Sequence, residues 1–452
     1  ISLRRIFLGN LAAILLLATT LAVDVNAASF ILFPVAVVGS QNSFLVLLKF
    51  AAGHAVTVVL ASAFSFFAVF AVIGLLMALL PYAVFRRVSL YVRFLLALCF
   101  LTLLATSFAL PLVLTEAARI GKLAVHLLPP VWFLGICQTL WGNGANPFFA
   151  VMARAGLMAL AISCAVATLS YALAFRRSFI RIPETAEAGP LPRSQFHFLP
   201  VHLFDRAILR DPPQRASFHF ITRTLLRSES HLQIVSAFLA IGLVVSAQSL
   251  ASAFHPNAVA ALRFPSEDIL SVPFILGFCI ILGIRIAFEI PSDLRANWVF
   301  ALWIDPNALQ TRSIARKVLV TFSLAPLIAI CLISSWLLWG FASALLHTAV
   351  FAGCTIAFIE LLLIRFRKIP FTCSYPPFQS DSALIFVAYL FGFVIFTVYL
   401  PELELWSLAE PWRALFFIPL VAAVLLSIQQ YRKQMLDMDK QLIFEESSAS
   451  NF

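Results

Sequence analysis

The sequence is poor in charge. Only 12% of its 452 residues are Asp, Glu, Lys or Arg, about half of what a soluble domain carries. One core helix tolerates such a shortage, but a whole solvated surface does not, so a soluble globular chain is excluded. Glycine is also scarce, at 16 residues, and no glycine-rich phosphate loop is present. Walker A, dinucleotide-binding and zinc-protease patterns are missing too. The chain shows no engine of its own, and no cofactor is expected. The cysteines, Cys99, Cys137, Cys164, Cys279, Cys331, Cys354 and Cys373, have neither metal-ligand nor redox spacing. Five lie in apolar runs, where cysteine is simply a small apolar residue, so a disulfide framework is not expected.

Apolar residues fill the chain instead. They make up 62% of it, and the mean hydropathy is +0.98. Uncharged runs beyond about 18 residues read as transmembrane helices. The expectation is an all-α, polytopic integral membrane protein with ten spans, near residues 6–23, 55–80, 94–114, 151–173, 233–253, 270–289, 318–339, 343–364, 382–400 and 412–430. Residues 29–39, "SFILFPVAVVG", are too short to cross and read as an outer loop or a re-entrant piece. Residues 125–141, broken by Pro129-Pro130, read the same way. Asn146-Pro147 makes a sound helix start, a cap followed by proline. The opening, Arg4-Arg5 followed by an apolar run and Val25-Asn26-Ala27, mimics a secretory signal. It is read as a retained first helix, and Ile1 as a start partway into a longer product.

The net charge of +10 would suggest nucleic acid in a soluble chain. Here it marks topology, and no nucleic-acid partner is expected. With the N-terminus inside, 25 of the 31 basic residues fall on inner segments, a strong positive-inside signal that places both ends in the cytoplasm. "PELELWSLAEP" has three glutamates and no basic residue, and reads as an outer loop. The organisation is then a first bundle of four spans (1–175), a basic cytoplasmic loop (176–231), a second bundle of six spans (232–431) and a cytoplasmic tail (432–452). At the end of the loop, Phe218, Ile221, Leu225 and Leu226 fall near helical spacing, while Arg223 and Arg227 form an i,i+4 pair. That pattern predicts an amphipathic helix on the membrane surface. An echo between "SLRRIFLGNLAAILLLATT" and "SIARKVLVTFSLAPLIAICLI" is shared by any span that starts inside.

His197, His202 and His219 match no standard metal spacing, and no metal is expected. Charges within spans mean more, because lipid penalises them unless they pair or snorkel. Arg285, Glu289 and Glu360 qualify; Asp24 lies at an outer edge. At ~1.5 Å per residue, Arg285 and Glu360 sit at equal depth, so an intramembrane ion pair between them is expected. In "RIAFEIPSDLRANWVFALW", residues 285–303, Pro291 stops the span and Ser292 can cap a new helix. Leu294, Trp298, Ala301 and Leu302 share one face of it. Asp293, Arg295 and Asn297 lie off that face. The helix reads as an interfacial anchor or as a coupling helix, with Asp293, Arg295 and Trp298 as its candidate residues.

Many spans without an ATPase motif, amphipathic inner segments and short polar inner helices such as "PSDLRANWVFALW" resemble the membrane subunit of a bacterial ABC-2-type exporter. The resemblance implies a permease subunit in a bacterial cytoplasmic membrane. It also implies a separate ATP-hydrolysing partner and a second permease copy or subunit. That family commonly has six spans per half, and ten spans depart from it. Two other classes compete. A secondary transporter wants charged or broken helices near the membrane midplane. An enzyme acting on lipid or glycan wants clustered acid–base groups at one interface, where the outer face offers only the scattered Glu116, Asp268 and Glu402.

Overall fold

A computed structural model describes residues 3–38, 43–120, 126–142, 146–178, 209, 211–253, 264–292, 308–364, 366, 368–372 and 382–438. Every regular element among them is helical. Nine of these helices are long and apolar enough to cross a membrane, which makes the chain an all-α integral membrane protein. The expected tenth span is not among the nine. Its region holds a 3-10 turn, Pro411–Phe416, and a helix, Phe417–Met438. The second half of that helix carries Gln429, Gln430, Arg432, Lys433 and Gln434, which ends its apolar run early.

Contacts divide the chain into two compact units, residues 1–92 with 102–193, and residues 93–101 with 194–452. The first holds α1 (Leu3–Val38), α2 (Phe44–Leu79), the two ends of α3 (Tyr82–Ile120), α4 (Pro129–Trp141) and α5 (Pro147–Ser178). Helix α2 is the hub, touching α1, α4 and α5. Helix α1 runs unbroken through residues 29–38, so the expected loop or re-entrant piece is instead the end of the first helix. A helix satisfies its own backbone groups, which a short loop in lipid does not. Proline opens α4 at its first two positions, and Gly142, at φ 113°, closes it in the left-handed region. The Asn146 side chain accepts a hydrogen bond from the Phe148 N–H at 3.0 Å, the cap read from Asn146-Pro147. Helices α4 and α5 approach closely at Gly135, where an added Cβ would lie 2.6 Å from Met152 Cβ and 2.8 Å from the Ala153 nitrogen.

The second unit holds α6 (Pro212–Arg227), α7 (Glu229–Ala253), α8 (Glu267–Ala287), α9 (Ala308–Leu319), α10 (Ala325–Trp339), α11 (Phe341–Leu362), α12 (Ser382–Val394), α13 (Leu400–Leu408) and α14 (Phe417–Met438). Helix α8 is its axis. Phe274 stands edge-on to Phe351 at 5.5 Å and to Phe396 at 5.4 Å, and Phe278 stacks on Phe358 at 4.7 Å. Offset and edge-on pairs of this kind fix the mutual orientation of helices as well as burying area. Helix α6 has the expected form: Phe218, Ile221 and Leu225 are buried and Arg223 and Arg227 are exposed, although Leu226 points outward.

Among the described residues, two spans of this unit contain a π turn. Val320–Leu324 joins α9 to α10, and Ile395–Tyr399 joins α12 to α13. Each turn ends two residues before a proline, Pro326 or Pro401. A proline ring clashes with the carbonyl four residues back. Those carbonyls belong to Phe322 and Thr397, the middle residues of the two turns. Widening the helix there relieves the clash and lets the chain continue, so Pro401 does not end the span. "PELELWSLAEP" is therefore no outer loop in its first part: residues 400–408 extend the helix of 384–408.

Candidate functional site

Among the described residues of the second unit, three groups of buried charge stand out. The deepest joins α11 to α13. His347 Nδ1 and Glu404 Oε1 share a hydrogen bond of 2.7 Å, and the Glu404 side chain is 0% exposed. Phe274 and Trp339 set their rings edge-on to the imidazole at 6.3 and 6.0 Å. Thr348 contacts the Cys331 sulfur nearby. The second carboxylate oxygen, Glu404 Oε2, is buried and has no hydrogen-bond partner among the described residues. A dry, low-dielectric setting favours the state in which the imidazole and the carboxylate together carry no net charge. A pair that holds or releases one proton is the chemistry this arrangement offers.

The second group closes the far end of α8. Arg285 pairs with Glu289 one helical turn on, and Lys368 pairs with the other oxygen of the same carboxylate. Arg285 also donates to the Leu362 carbonyl at 3.3 Å and lies over the Phe366 ring at 4.8 Å. Next to it the backbone is locked. Ser292 N–H donates to the Phe371 carbonyl at 3.0 Å, and Phe371 N–H donates to the Phe288 carbonyl at 3.3 Å. Phe371 is buried with φ 70°, the one non-glycine residue at positive φ among the described residues. His231 Nε2 hydrogen-bonds the Ile290 carbonyl at 2.9 Å and sets its ring against Phe371.

The third group surrounds Glu360. Arg316 donates to Oε1 at 3.0 Å, Arg432 donates to Oε2 at 3.1 Å, and Arg312 reaches Oε2 at 3.5 Å. Arg312 also donates to the Glu360 carbonyl at 3.3 Å. One carboxylate thus ties α9, α11 and α14 together.

The expected pair of Arg285 with Glu360 is replaced by these two groups. The helices do meet, since Arg285 reaches the Leu362 carbonyl of α11. A nearer carboxylate lies one turn along its own helix, and Glu360 points instead to three arginines. The candidate coupling residues Asp293, Arg295 and Trp298 lie outside the described residues, as do His197 and His202. Glu404 falls in the segment expected as an outer loop, because Pro401 reads as a break. The periodic signal was present: Leu400, Glu404 and Ser407 fall on one helical face. Among the described residues no group of three or more His, Cys, Asp or Glu side chains is placed to hold a metal ion.

In the first unit, Ser29 and His54 Nε2 lie 2.8 Å apart, and Phe33 stacks on the imidazole at 4.5 Å. Trp141 donates to the Phe50 carbonyl and completes an aromatic cluster joining α2 and α4.

Comparison with protein families, with curated proteins and with solved structures finds no match for the chain.

Proposed function

We propose that the chain is the permease subunit of a transporter in a bacterial cytoplasmic membrane, similar to the membrane subunits of ABC-2-type exporters and driven by a separate ATPase subunit. The observation that carries the reading is helix α6. Its apolar side is buried beside α9, and Arg223 and Arg227 face outward. A helix anchored to the ends of the spans, with charge pointing away from them, gives a cytoplasmic engine something rigid to push on. The buried charges of the second unit support the same reading. They join helix to helix, as a moving scaffold requires, whereas an enzyme needs acid–base groups converging on one open cleft. The topology proposed is ten spans with both ends inside, α14 serving as the tenth. Reporter fusions after Leu191 and Met438 then report inside, and one after Glu116 outside. Purification of the tagged chain from its native membranes tests the function. An ATP-hydrolysing subunit is expected to accompany it, and replacing Asp293 and Arg295 with alanine is expected to release that subunit while insertion stays normal. Recovery of the intact chain without any ATPase rejects the reading.

A second reading, transport driven by an ion gradient, is favoured by the buried His347–Glu404 pair and the two π turns. Intramembrane ionisable pairs serve proton relays, and π turns recur at functional sites. In proteoliposomes with a pH-sensitive dye inside, this reading expects proton uptake by the native chain that His347→Gln abolishes. No uptake in either sample rejects it.

A further inference from the structure

The Glu360 group holds more positive charge than its carboxylate balances. Among the described residues, Arg312, Arg316 and Arg432 supply three charges against one, a surplus of two. The negative end of the α11 dipole, at Glu360–Leu362, offsets only about half a charge. Glu360 is also saturated, since Oε1 takes Arg316 while Oε2 takes both Arg432 and Arg312. Arg312 is buried, but the Arg316 side chain is 49% exposed and that of Arg432 25%. Each of these two uses one Nη on Glu360, and the rest of each guanidinium fork has no acceptor among the described residues. Two guanidinium forks fixed on the two oxygens of one carboxylate, each with donors to spare, are the donor type that takes phosphate.

The surroundings indicate which phosphate. Stepping back along α14 from Arg432 by four residues at a time gives buried Ile428, then exposed Val424 and exposed Leu420. Past buried Ile428, Val424 and Leu420 form an exposed apolar stripe that winds around α14, the proposed tenth span. A soluble anion makes no use of such a stripe, whereas an acyl chain lies along it. Basic clusters where spans meet the headgroup layer hold anionic lipids in this way. We propose that Arg316 and Arg432, held in place by Glu360, bind the phosphodiester of an anionic phospholipid whose chain lies along the Leu420–Val424 face of α14.

The test uses the full chain purified in neutral detergent. Binding is followed by native mass spectrometry and by the unfolding midpoint, with phosphatidylglycerol, phosphatidylcholine or inorganic phosphate added. Phosphatidylglycerol is expected to bind and raise the midpoint, and the other two are not. Arg316→Gln is expected to weaken phosphatidylglycerol binding about fivefold, and Arg316→Gln with Arg432→Gln roughly thirtyfold. Arg154→Gln, at an exposed arginine of α5, is expected to leave it unchanged. Equal binding of the two lipids overturns the proposal, and so does full retention in Arg316→Gln, a half-exposed position whose replacement leaves the Arg432–Glu360 and Arg312–Glu360 contacts in place. Inorganic phosphate that reproduces the shift alone shows a soluble-anion site and overturns the lipid assignment.

Discussion

His347 on α11 and Glu404 on α13 form a hydrogen-bonded pair 2.7 Å long, 57 residues apart in sequence and closed off from solvent. Breaking a buried pair by removing one partner leaves the other uncompensated, and such changes cost about 3–5 kcal/mol. His347→Ala and Glu404→Ala are each expected to lower stability by that order, and the double variant by clearly less than their sum. Unfolding midpoints of the four proteins in detergent check this. Additive losses mean the two residues do not depend on one another.

Glu289 holds two cations at once, Arg285 and Lys368. Its replacement therefore differs from that of either partner. Glu289→Gln leaves two buried cations without their carboxylate and is expected to destabilise by about 3–5 kcal/mol. Lys368→Met leaves the Arg285–Glu289 pair intact and is expected to cost less. Chemical denaturation in mixed micelles ranks the two, and the reverse order would place the stabilising contact elsewhere on Lys368.

The helical, membrane-spanning character of the chain was legible because lipid imposes it through composition alone. The amphipathic face of α6 and the Asn146 cap were legible for a similar reason, since both follow from local spacing. Long-range pairing was not legible. Equal depth in the membrane suggested Arg285 with Glu360, but depth says nothing about which way a side chain points around its helix. In the sequence Arg312, Arg316 and Arg432 read only as topology signals, because nothing local announces their convergence on one carboxylate. Glu404 was hidden by Pro401, since a π turn that carries a helix past proline has no simple sequence mark.

Gly135 is a contact that depends on having no side chain. A Cβ there would fall within 3 Å of Met152 Cβ and of two backbone atoms of α5, the Ala153 nitrogen and the Phe149 oxygen. Backbone atoms do not move aside as side-chain ends do, so Gly135→Ala is expected to destabilise by about 1–3 kcal/mol through overpacking. Gly353 is the control. Among the described residues, a Cβ there meets only Val421, at 3.5 and 3.7 Å, an ordinary contact. Because alanine favours helix over glycine by up to about 1 kcal/mol, Gly353→Ala is expected to be neutral or stabilising. Thermal unfolding of both variants separates the cases.

The π turn at Ile395–Tyr399 sets the direction in which Glu404 points. Leu400 N–H bonds the Ile395 carbonyl, five residues back instead of four, so the turn contains one residue more than an α-helical turn. An added residue rotates everything beyond it by about 100° relative to what precedes it. Pro401 is the physical reason for the turn, since its ring crowds the Thr397 carbonyl and it offers no N–H. Pro401→Ala removes the clash and supplies the missing donor, which favours an ordinary α-helical turn. The expected consequence is that Glu404 swings away from His347. The measurement is the interaction energy between those two residues, taken from the same four-protein comparison but in the Pro401→Ala background. It is expected to fall by half or more, while Pro326→Ala, which alters the other π turn, is expected to affect it less. An undiminished interaction energy would show that the packing of Phe396, Thr397 and Glu404 holds the π turn without the proline.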